Sequence, residues 1–368
     1  MKTAIIGYGR SGKSAEGILK ARGDEVAIVD DKQLVVVSPG VRVMSELEFG
    51  VRELKARGVR LLAVTGSKGK SSVVKIVSDA INLAGLRAVP CGNYGLPVSE
   101  VAQMDPLPDW AVVEVSSFQL ETTNLSPDTF EMAVILNLQE DHLDRHGCVE
   151  VYHGLKRKLL AMAKVGLELS ETPAADELAT FAPLLAGSYF DNDILRVNGL
   201  AACRLMRAAG LDAATIRTAF ASFEPLPHRM NLVGEFGGIR CIDDSKATSL
   251  AALGAGVVMA GLEIRLIAGG LPKGDDPNSV RELLTKRVKK VYLIGESADA
   301  FASAWKSAVD CEICGTMDRA VAVAMRESKP GETVLLSPGT ASFDQFKSYG
   351  ERGDVFAALV KKEGQCKK

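Results

Sequence analysis

The sequence lacks an excess of charge of either sign, because 44 Lys and Arg residues nearly balance 46 Asp and Glu residues and leave a net charge of −2. Without a basic surplus the chain has no general attraction for nucleic acid or an anionic membrane, so any anion must be bound locally. It also lacks a long apolar segment: the uncharged apolar run 250–262 ends at Glu263 and is shorter than the ~20 residues of a membrane span. We therefore expect no nucleic-acid partner and no membrane span.

Cysteine is sparse, with seven residues scattered along a chain of 368. The composition argues against a small disulfide scaffold, and an odd number of scattered cysteines fits reduced thiols in a cytoplasm. For the single CxxC at 311–314, a strand or turn with buried thiols is favoured over zinc or redox chemistry. Residues 1–7 run into a predicted strand without a signal-peptide pattern. We therefore expect a cytoplasmic protein, and we expect a monomer.

Short β-branched runs alternate with helical stretches, which is typical of an α/β fold with mostly parallel sheets. The alternation falls into three blocks, so we predict three domains at 1–59, 60–226 and 227–368. Residues 170–193 have weak periodicity of either kind and stay unassigned. The predicted strands are 3–6, 25–29, 34–37, 60–64, 110–115, 132–136, 239–242, 264–268, 290–294 and 333–336.

The first block contains a glycine loop, GYGRSG at 7–12, between a predicted strand and a helix, and Asp30 ends the next strand. Glycines let the backbone approach a pyrophosphate at a helix N-terminus, and the acid suits a ribose hydroxyl. A packing turn without a ligand is the plain alternative. An NAD-dependent oxidoreductase is the rival function, although the block is short for a full doubly wound sheet.

The second block contains a stronger loop, TGSKGKS at 65–71, after a predicted buried strand. Backbone amides and the helix dipole would bind phosphates there, Lys70 would reach the β and γ oxygens, and the Ser71 hydroxyl would bind Mg²⁺. The strict Walker A spacing is not kept, because its first glycine would fall at Val64. The pattern indicates a nucleotide-binding loop.

Polar clusters follow several other predicted strands. Glu114 ends the strand 110–115, and the run 137–146 follows the strand 132–136. The carboxyl ends of parallel strands share one sheet edge, so Glu114 is placed to bind Mg²⁺ with Ser71, and a histidine in such a run is a candidate ligand. The spacing alone does not distinguish Lys156 from the basic face of a helix. In the third block, the strand-end loops 243–248, 269–274 and 337–347 carry cations and hydroxyls that suit a carboxylate-bearing substrate.

With these motifs the chain resembles the Mur ligase family, and within it the branch that adds D-glutamate, in a shortened form. The resemblance covers nearly the whole chain, and the Asp-Asn-Pro-Arg motif of the branch that adds diaminopimelate or lysine is absent. Its anchors are TGSKGKS at 65–71, GNYGLP at 92–97, EVSSFQLE at 114–121, EDHLDRHG at 140–147, LPHR at 226–229, DSKAT at 244–248 and SFDQF at 342–346.

The resemblance implies a small Rossmann-like UDP-binding domain, a central P-loop ATPase domain with a parallel sheet and a Rossmann-like C-terminal domain that binds D-glutamate. It implies a cytoplasmic step of peptidoglycan precursor synthesis. ATP would phosphorylate the carboxylate of UDP-N-acetylmuramoyl-L-alanine, and the amine of D-glutamate would attack the acyl phosphate to give ADP and phosphate. The C-terminal domain would close over ATP.

The resemblance also implies roles for individual residues. Lys70, Glu114, His142 and Lys156 would be catalytic, with one Mg²⁺ on Ser71 and Glu114 and a second on His142 and on Lys156 as a CO₂-derived carbamate. ATP would contact Gly66, Ser67, Lys68, Gly69, Lys70, Ser71, Ser72, Asn93, Asn198, Arg229 and Asp244. The UDP-muramoyl substrate would contact Gly9, Arg10, Ser11, Asp30, Ser38, Pro39, Gly40, Asn93, Ser116 and Gln119. D-Glutamate would contact Lys246, Thr248, Lys273, Ser342 and Phe343.

The chain departs from the family pattern between Lys156 and Asn198, where it is shorter and has Ile194 and Leu195 in place of a His-Asn pair. Two alternatives therefore stay open. One is another ATP-dependent amide ligase, similar to folylpolyglutamate synthase, which a different acceptor preference would reveal. The other is a non-catalytic nucleotide-binding relative, which would bind ATP without turnover.

Overall fold

The computed structural model describes residues 2–6, 9–29, 44–139, 143–169 and 175–365. The chain divides into two compact units, Met1–Phe223 and Glu224–Lys368. Both are built from mostly parallel strands and from helices, so the predicted α/β class is confirmed. The predicted boundary at 59/60 inside the first unit stays a prediction. Among the described helices, none combines the length and apolar character needed to cross a bilayer.

The first unit begins with a two-stranded parallel sheet. Strand β1 (Lys2–Ile6) pairs with β2 (Glu25–Val29), and helix α1 (Arg10–Ala21) connects them. This is the βαβ arrangement that the first glycine loop predicted. The predicted strand 34–37 lies outside the described residues.

A five-stranded parallel sheet forms the centre of the first unit. Its strands are β3 (Arg60–Thr65), β4 (Ala88–Gly92), β5 (Trp110–Glu114), β6 (Phe130–Ile135) and β7 (Ala163–Glu168). The order is β4-β5-β3-β6-β7, so β3 is central and buried apart from its first residue. Neighbouring strand ends at Thr65, Glu114 and Ile135 therefore lie on one edge of the sheet.

Helices cover both faces of this sheet, and each face has its own apolar core. One core includes Val73 and Leu200, and the other includes Ile18 and Leu47. The helices are α2 (Glu46–Ala56), α3 (Lys70–Leu83), α4 (Val98–Val101), α5 (Ser117–Thr122), α6 (Leu143–His146), α7 (Val149–Lys158), α8 (Ala175–Leu185), α9 (Arg196–Ala208) and α10 (Ala213–Ala221), with a 3₁₀ turn at Leu160–Met162. Helix α8 occupies part of the stretch that the sequence left unassigned.

The second unit is a six-stranded sheet in the order β12-β11-β10-β13-β9-β8, with β8 antiparallel to β9 and the other pairs parallel. Its strands are β8 (Asn231–Phe236), β9 (Ile239–Asp243), β10 (Ile264–Gly269), β11 (Val288–Ile294), β12 (Asp310–Gly315) and β13 (Thr333–Leu336). Its helices are α11 (Leu250–Ala260), α12 (Arg281–Arg287), α13 (Ala298–Trp305), α14 (Met317–Glu327) and α15 (Tyr349–Gly364), with a 3₁₀ turn at Pro277–Val280.

The CxxC motif lies on β12. Burial raises the pKa of both Cys311 and Cys314 to about 11, so both thiols are protonated near neutral pH. Protonated thiols in a strand match the predicted structural role, since the thiolate is the metal ligand and the nucleophile.

Candidate functional site

The glycine loop at 65–71 connects the end of β3 to the N-terminus of α3, the geometry that binds phosphates. Gly69, the N-cap of α3, has a φ of 86°, a left-handed conformation that favours glycine. A Cβ atom at Gly69 would lie 2.4 Å from Nδ2 of Asn198. The structure thus brings Asn198, predicted to contact ATP, against the loop.

Asn137, at the end of β6, holds this loop in place. Its Oδ1 accepts hydrogen bonds from the amides of Ser67 (3.1 Å) and Lys68 (2.9 Å), and its Nδ2 donates to the Lys68 carbonyl at 3.0 Å. The sequence analysis did not assign this role, although the polar residue directly after a buried strand was a signal.

Two lysines converge on one carbonyl oxygen of the loop. Lys70 Nζ donates to the Gly66 carbonyl at 2.8 Å, and Lys156 Nζ donates to the same oxygen at 2.9 Å. Lys156 comes from α7, is 1% exposed, and lies 4.5 Å from the ring centroid of Tyr152. Tyr152 in turn donates to Ser67 Oγ at 3.2 Å. The structure therefore places Lys156, which spacing alone did not single out, at the loop beside Lys70.

Glu114, at the end of β5, is 2% exposed, and one of its two carboxylate oxygens accepts a hydrogen bond. Its Oε1 accepts a hydrogen bond from Asn93 Nδ2 at 2.7 Å, while its Oε2 has no hydrogen-bond partner among the described residues. A buried carboxylate oxygen without a partner is costly, and a bound Mg²⁺ would satisfy it. Asn93, predicted to contact ATP and substrate, thus orients the predicted metal ligand.

Ser71 and Ser72 occupy the first turn of α3, and Ser72 is buried. In the part of the chain that the structure describes, no group of three or more His, Cys, Asp and Glu residues could hold a metal ion. His142, a predicted metal ligand, lies outside the described residues, as do Asp30, Ser38, Pro39 and Gly40.

Ser116 and Gln119 form a capping box at the start of α5. Ser116 Oγ accepts from the Gln119 amide at 3.3 Å, and Gln119 Oε1 accepts from the Ser116 amide at 3.0 Å. These two residues were predicted to contact the muramoyl part of the substrate, and the structure gives them a local role as well.

The first glycine loop leads into α1, with Gly9 as N-cap and Arg10 and Ser11 in the first turn. Arg10 makes a bidentate ion pair with Glu100, with Nε–Oε2 and Nη2–Oε1 distances of 3.0 Å. The Arg10 guanidinium, which was predicted to bind the UDP moiety, is therefore already paired with the Glu100 carboxylate.

In the second unit, Asp244 follows β9 and is 8% exposed. Burial raises its pKa to about 7, although Ser337 Oγ donates to its Oδ2 at 2.9 Å and the Met230 amide donates to its Oδ1 at 3.3 Å. The neighbouring Asp243 contacts Nδ1 of His228 at 2.7 Å. The backbone amide of Arg229, a predicted ATP ligand, donates to Asn231 Oδ1 at 2.8 Å.

Three loops at the carboxyl ends of β9, β10 and β13 are tied together by backbone hydrogen bonds. The Gly339 amide donates to the Ala247 carbonyl at 2.8 Å, and the Gly269 amide donates to the Pro338 carbonyl at 2.9 Å. These loops carry the residues predicted to bind D-glutamate: Lys246, Thr248, Lys273, Ser342 and Phe343.

These five residues differ in exposure. Ser342 is 2% exposed, whereas Phe343 is 69% exposed and Lys273 is also exposed. Lys246 Nζ lies 3.9 Å from the ring centroid of Tyr349. Tyr349 was missed by the sequence analysis, because it lies beyond the strand-end loop in the sequence.

Arg352, on α15, was also missed and is completely buried. Its guanidinium donates to Ser245 Oγ (3.0 Å) and to the carbonyls of Ser245 (2.9 Å), Thr340 (3.1 Å) and Ala341 (3.1 Å). Burial lowers its pKa to about 10, so it stays charged near neutral pH. Arg352 therefore fixes the loops that follow β9 and β13.

Comparison with known families matches two regions of the chain to domain families. Residues 64–179 match the Mur ligase middle domain, and residues 228–339 match the Mur ligase glutamate ligase domain. Among solved structures, MurF ligase from Thermotoga maritima in complex with ADP has a TM-score of 0.64 at 16% identity, over 100% of this chain and 95% of that one. FolC of E. coli in complex with ADP has a TM-score of 0.60 at 15% identity, over 96% of this chain and 99% of that one. Both structures share the fold of this chain.

Curated relatives are more similar in sequence. The UDP-N-acetylmuramoylalanine--D-glutamate ligase of Nitratidesulfovibrio vulgaris is 32% identical over 421 residues, covering 97% of this chain and 95% of the relative. That of Aquifex aeolicus is 32% identical over 416 residues, covering 98% of both chains. These alignments are longer than the 368 residues of this chain, so the relatives contain segments that it lacks. With about a third of its residues shared along nearly its whole length, the chain belongs to the Mur ligase family.

Proposed function

We propose that this chain catalyses the ATP-dependent addition of D-glutamate to UDP-N-acetylmuramoyl-L-alanine, a step of peptidoglycan precursor synthesis that releases ADP and phosphate. The names of its curated relatives support the reaction and the choice of D-glutamate. The observation that carries the chemistry is the glycine loop at the end of β3, with Lys70 and Lys156 at one carbonyl oxygen.

In this reaction the substrate carboxylate attacks the γ-phosphorus of ATP, and ADP leaves. The amine of D-glutamate then attacks the acyl phosphate carbon, an amide forms and phosphate leaves. Phosphoryl transfer needs positioning and neutralisation of charge more than covalent help from the protein. Lys70 and the amides that begin α3 are suited to both, because they present positive charge and N–H donors to the phosphates.

Magnesium fits the residues at the strand ends. Ser71 and Glu114 would hold one ion, since Oε2 of Glu114 has no hydrogen-bond partner among the described residues and Mg²⁺ would satisfy it. His142 and a carbamate on Lys156 would hold the second. Bound Mg²⁺ would neutralise charge on the phosphate oxygens. Carbamylation would require the neutral amine of Lys156 and would convert it into an anionic oxygen ligand.

The remaining residues complete the proposal. Asn93, Asn198, Arg229 and Asp244 would bind ATP, and the loops after β9, β10 and β13 would bind D-glutamate. Gly9, Arg10 and Ser11 would bind the UDP moiety, which requires Arg10 to leave Glu100 or to share it. We further propose that the protein works as a monomer in the cytoplasm.

Phosphate release is the test. Purified protein with ATP, Mg²⁺ and UDP-N-acetylmuramoyl-L-alanine should release phosphate when D-glutamate is added, and not with L-glutamate, L-lysine or no amino acid. Release with a different acceptor would indicate another amide ligase. Folded protein that binds ATP but releases nothing with any acceptor would be a non-catalytic relative.

A further inference from the structure

His146 is a buried histidine to which the proposed reaction gives no role. It is the last residue of α6, and its side chain is 1% exposed. Its contacts reach two parts of the candidate site within the first unit.

On one side, His146 packs against Phe118 of α5, with ring centroids 5.4 Å apart, and makes polar contacts with two further residues of that helix. Its Nε2 lies 3.0 Å from Ser117 Oγ, and its Nδ1 lies 3.4 Å from Glu121 Oε1. Ser117 and Glu121 are four residues apart, so they share one face of the helix. A hydrogen bond from Arg145 lowers the pKa of Glu121, which is therefore an ionised acceptor. The tautomer with hydrogen on Nδ1 satisfies both contacts, since Nε2 then accepts from the Ser117 hydroxyl.

On the other side, the His146 ring packs against Tyr152 of α7, with ring centroids 5.4 Å apart. Tyr152 donates to Ser67 of the glycine loop, and Lys156 Nζ lies 4.5 Å from its ring centroid. His146 thus contacts α5 directly and reaches the loop and Lys156 through the Tyr152 side chain. Helix α5 begins directly after Ser116 and contains Gln119, the two residues proposed to meet the muramoyl part of the substrate.

We infer that His146 is a positioning residue, which fixes α5 relative to the glycine loop so that the substrate carboxylate meets the γ-phosphate. This rests on the proposed function, because it takes α5 as the acceptor-binding element and the loop as the ATP-binding element. A displacement of reacting groups by about 1 Å can cost about 100-fold in rate, so a residue that holds the two elements in register affects turnover without touching a substrate.

The test compares His146→Ala with His146→Gln in the full chain. His146→Ala should lower kcat/KM for UDP-N-acetylmuramoyl-L-alanine by about 10- to 100-fold, while KM for D-glutamate stays unchanged. His146→Gln should recover most of the loss, because its amide reaches the position of Nε2, whereas the shorter His146→Asn should not. Ser117→Ala should reproduce the loss, and adding His146→Ala to it should cost little more.

Val151→Ala, at an exposed position of α7, is the control and should match the wild type. If His146→Ala does not fold, the kinetics of His146→Gln and Ser117→Ala are compared with those of the wild type instead. The inference is overturned if His146→Ala keeps wild-type kinetics, if KM for D-glutamate rises equally, or if His146→Gln recovers nothing. If the wild-type protein releases no phosphate in response to D-glutamate, the proposed function and this inference are overturned together. If the wild type is active and His146→Ala has the same kinetics, only this inference is overturned.

Discussion

In the first unit two lysine side chains converge on the Gly66 carbonyl, whereas in the second unit one buried arginine holds two strand-end loops together. The lysines lie beside backbone amides at a helix N-terminus, a setting that attracts phosphate. The Arg352 guanidinium donates to three carbonyls and a hydroxyl. The difference separates side chains that lie at a phosphate-binding loop from a cation that builds the framework.

The largest expected effect concerns Lys156, one of the two side chains at the glycine loop. Lys156→Ala should lower D-glutamate-dependent phosphate release by about 10³-fold or more, because charge-stabilising groups contribute at least that much to phosphoryl transfer. Steady-state phosphate release with saturating substrates measures it. The thermal midpoint should stay close to that of the wild type, since the apolar core around α7 remains.

Lys164→Ala, which removes an exposed lysine paired with Glu131, is the matched control and should retain activity. Full activity in Lys156→Ala would remove the carbamate from the proposed function and would weaken the contrast between the two units.

The second prediction concerns the framework cation. Arg352→Met should lower the free energy of unfolding by about 3 to 5 kcal/mol, because it leaves buried carbonyls without donors. It should also raise KM for D-glutamate, since the loops after β9 and β13 lose their common donor. Urea unfolding and initial rates measure the two effects. Arg326→Met, at an exposed position of α14, should change stability by less than about 0.5 kcal/mol. Equal stability of the two variants would show that Arg352 is not a framework residue.

The smallest effect comes from Asp244, whose pKa burial raises to about 7 from an ordinary 3.8. Between about pH 4 and pH 7 the folded protein then holds a proton that the unfolded chain has lost, so stability falls as pH rises through this window and levels off above it. Between pH 5 and pH 7 the free energy of unfolding of the wild type should fall by on the order of 2 kcal/mol because of this group, and Asp244→Asn should abolish that part of the fall. Urea unfolding at both pH values measures it, with exposed Asp299→Asn as the control. A variant with the same pH dependence as the wild type would contradict a buried neutral carboxyl.

The strands that the sequence analysis located differ from those it missed by their position in the sheets. It located the central strands, such as β3 and β13, because they are buried on both faces and form continuous apolar runs. It omitted β4, β7 and β8 and described β12 only as a strand or turn. In the described part of the chain these four strands are the edges of the two larger sheets. Edge strands are partly exposed, and β4 even contains Pro90, which an edge tolerates.

The residues of the candidate site also fall into those that could be predicted from the sequence and those that could not. The glycine loop, Glu114 and the strand-end loops could be located from the sequence, because strand, turn and helix signals are local. The roles of Asn137, Arg352 and His146 could not be predicted, since they depend on partners distant in the sequence: Asn137 contacts residues about 70 positions away, and Arg352 contacts Ser245 across 107 positions. Lys156 was assigned only by resemblance, because its burial against Gly66 depends on how α7 packs.

The sequence by itself determined the α/β class, the phosphate-binding loop and the set of polar residues after the strands, since these follow from local apolar patterns and from the backbone freedom of glycine. Only the tertiary structure decided which of those residues meet. It brought two lysines to one carbonyl, left one oxygen of Glu114 without a partner among the described residues, and buried Arg352 among carbonyls. Such contacts depend on the order in which strands assemble and on the packing of helices over them, neither of which a local pattern contains.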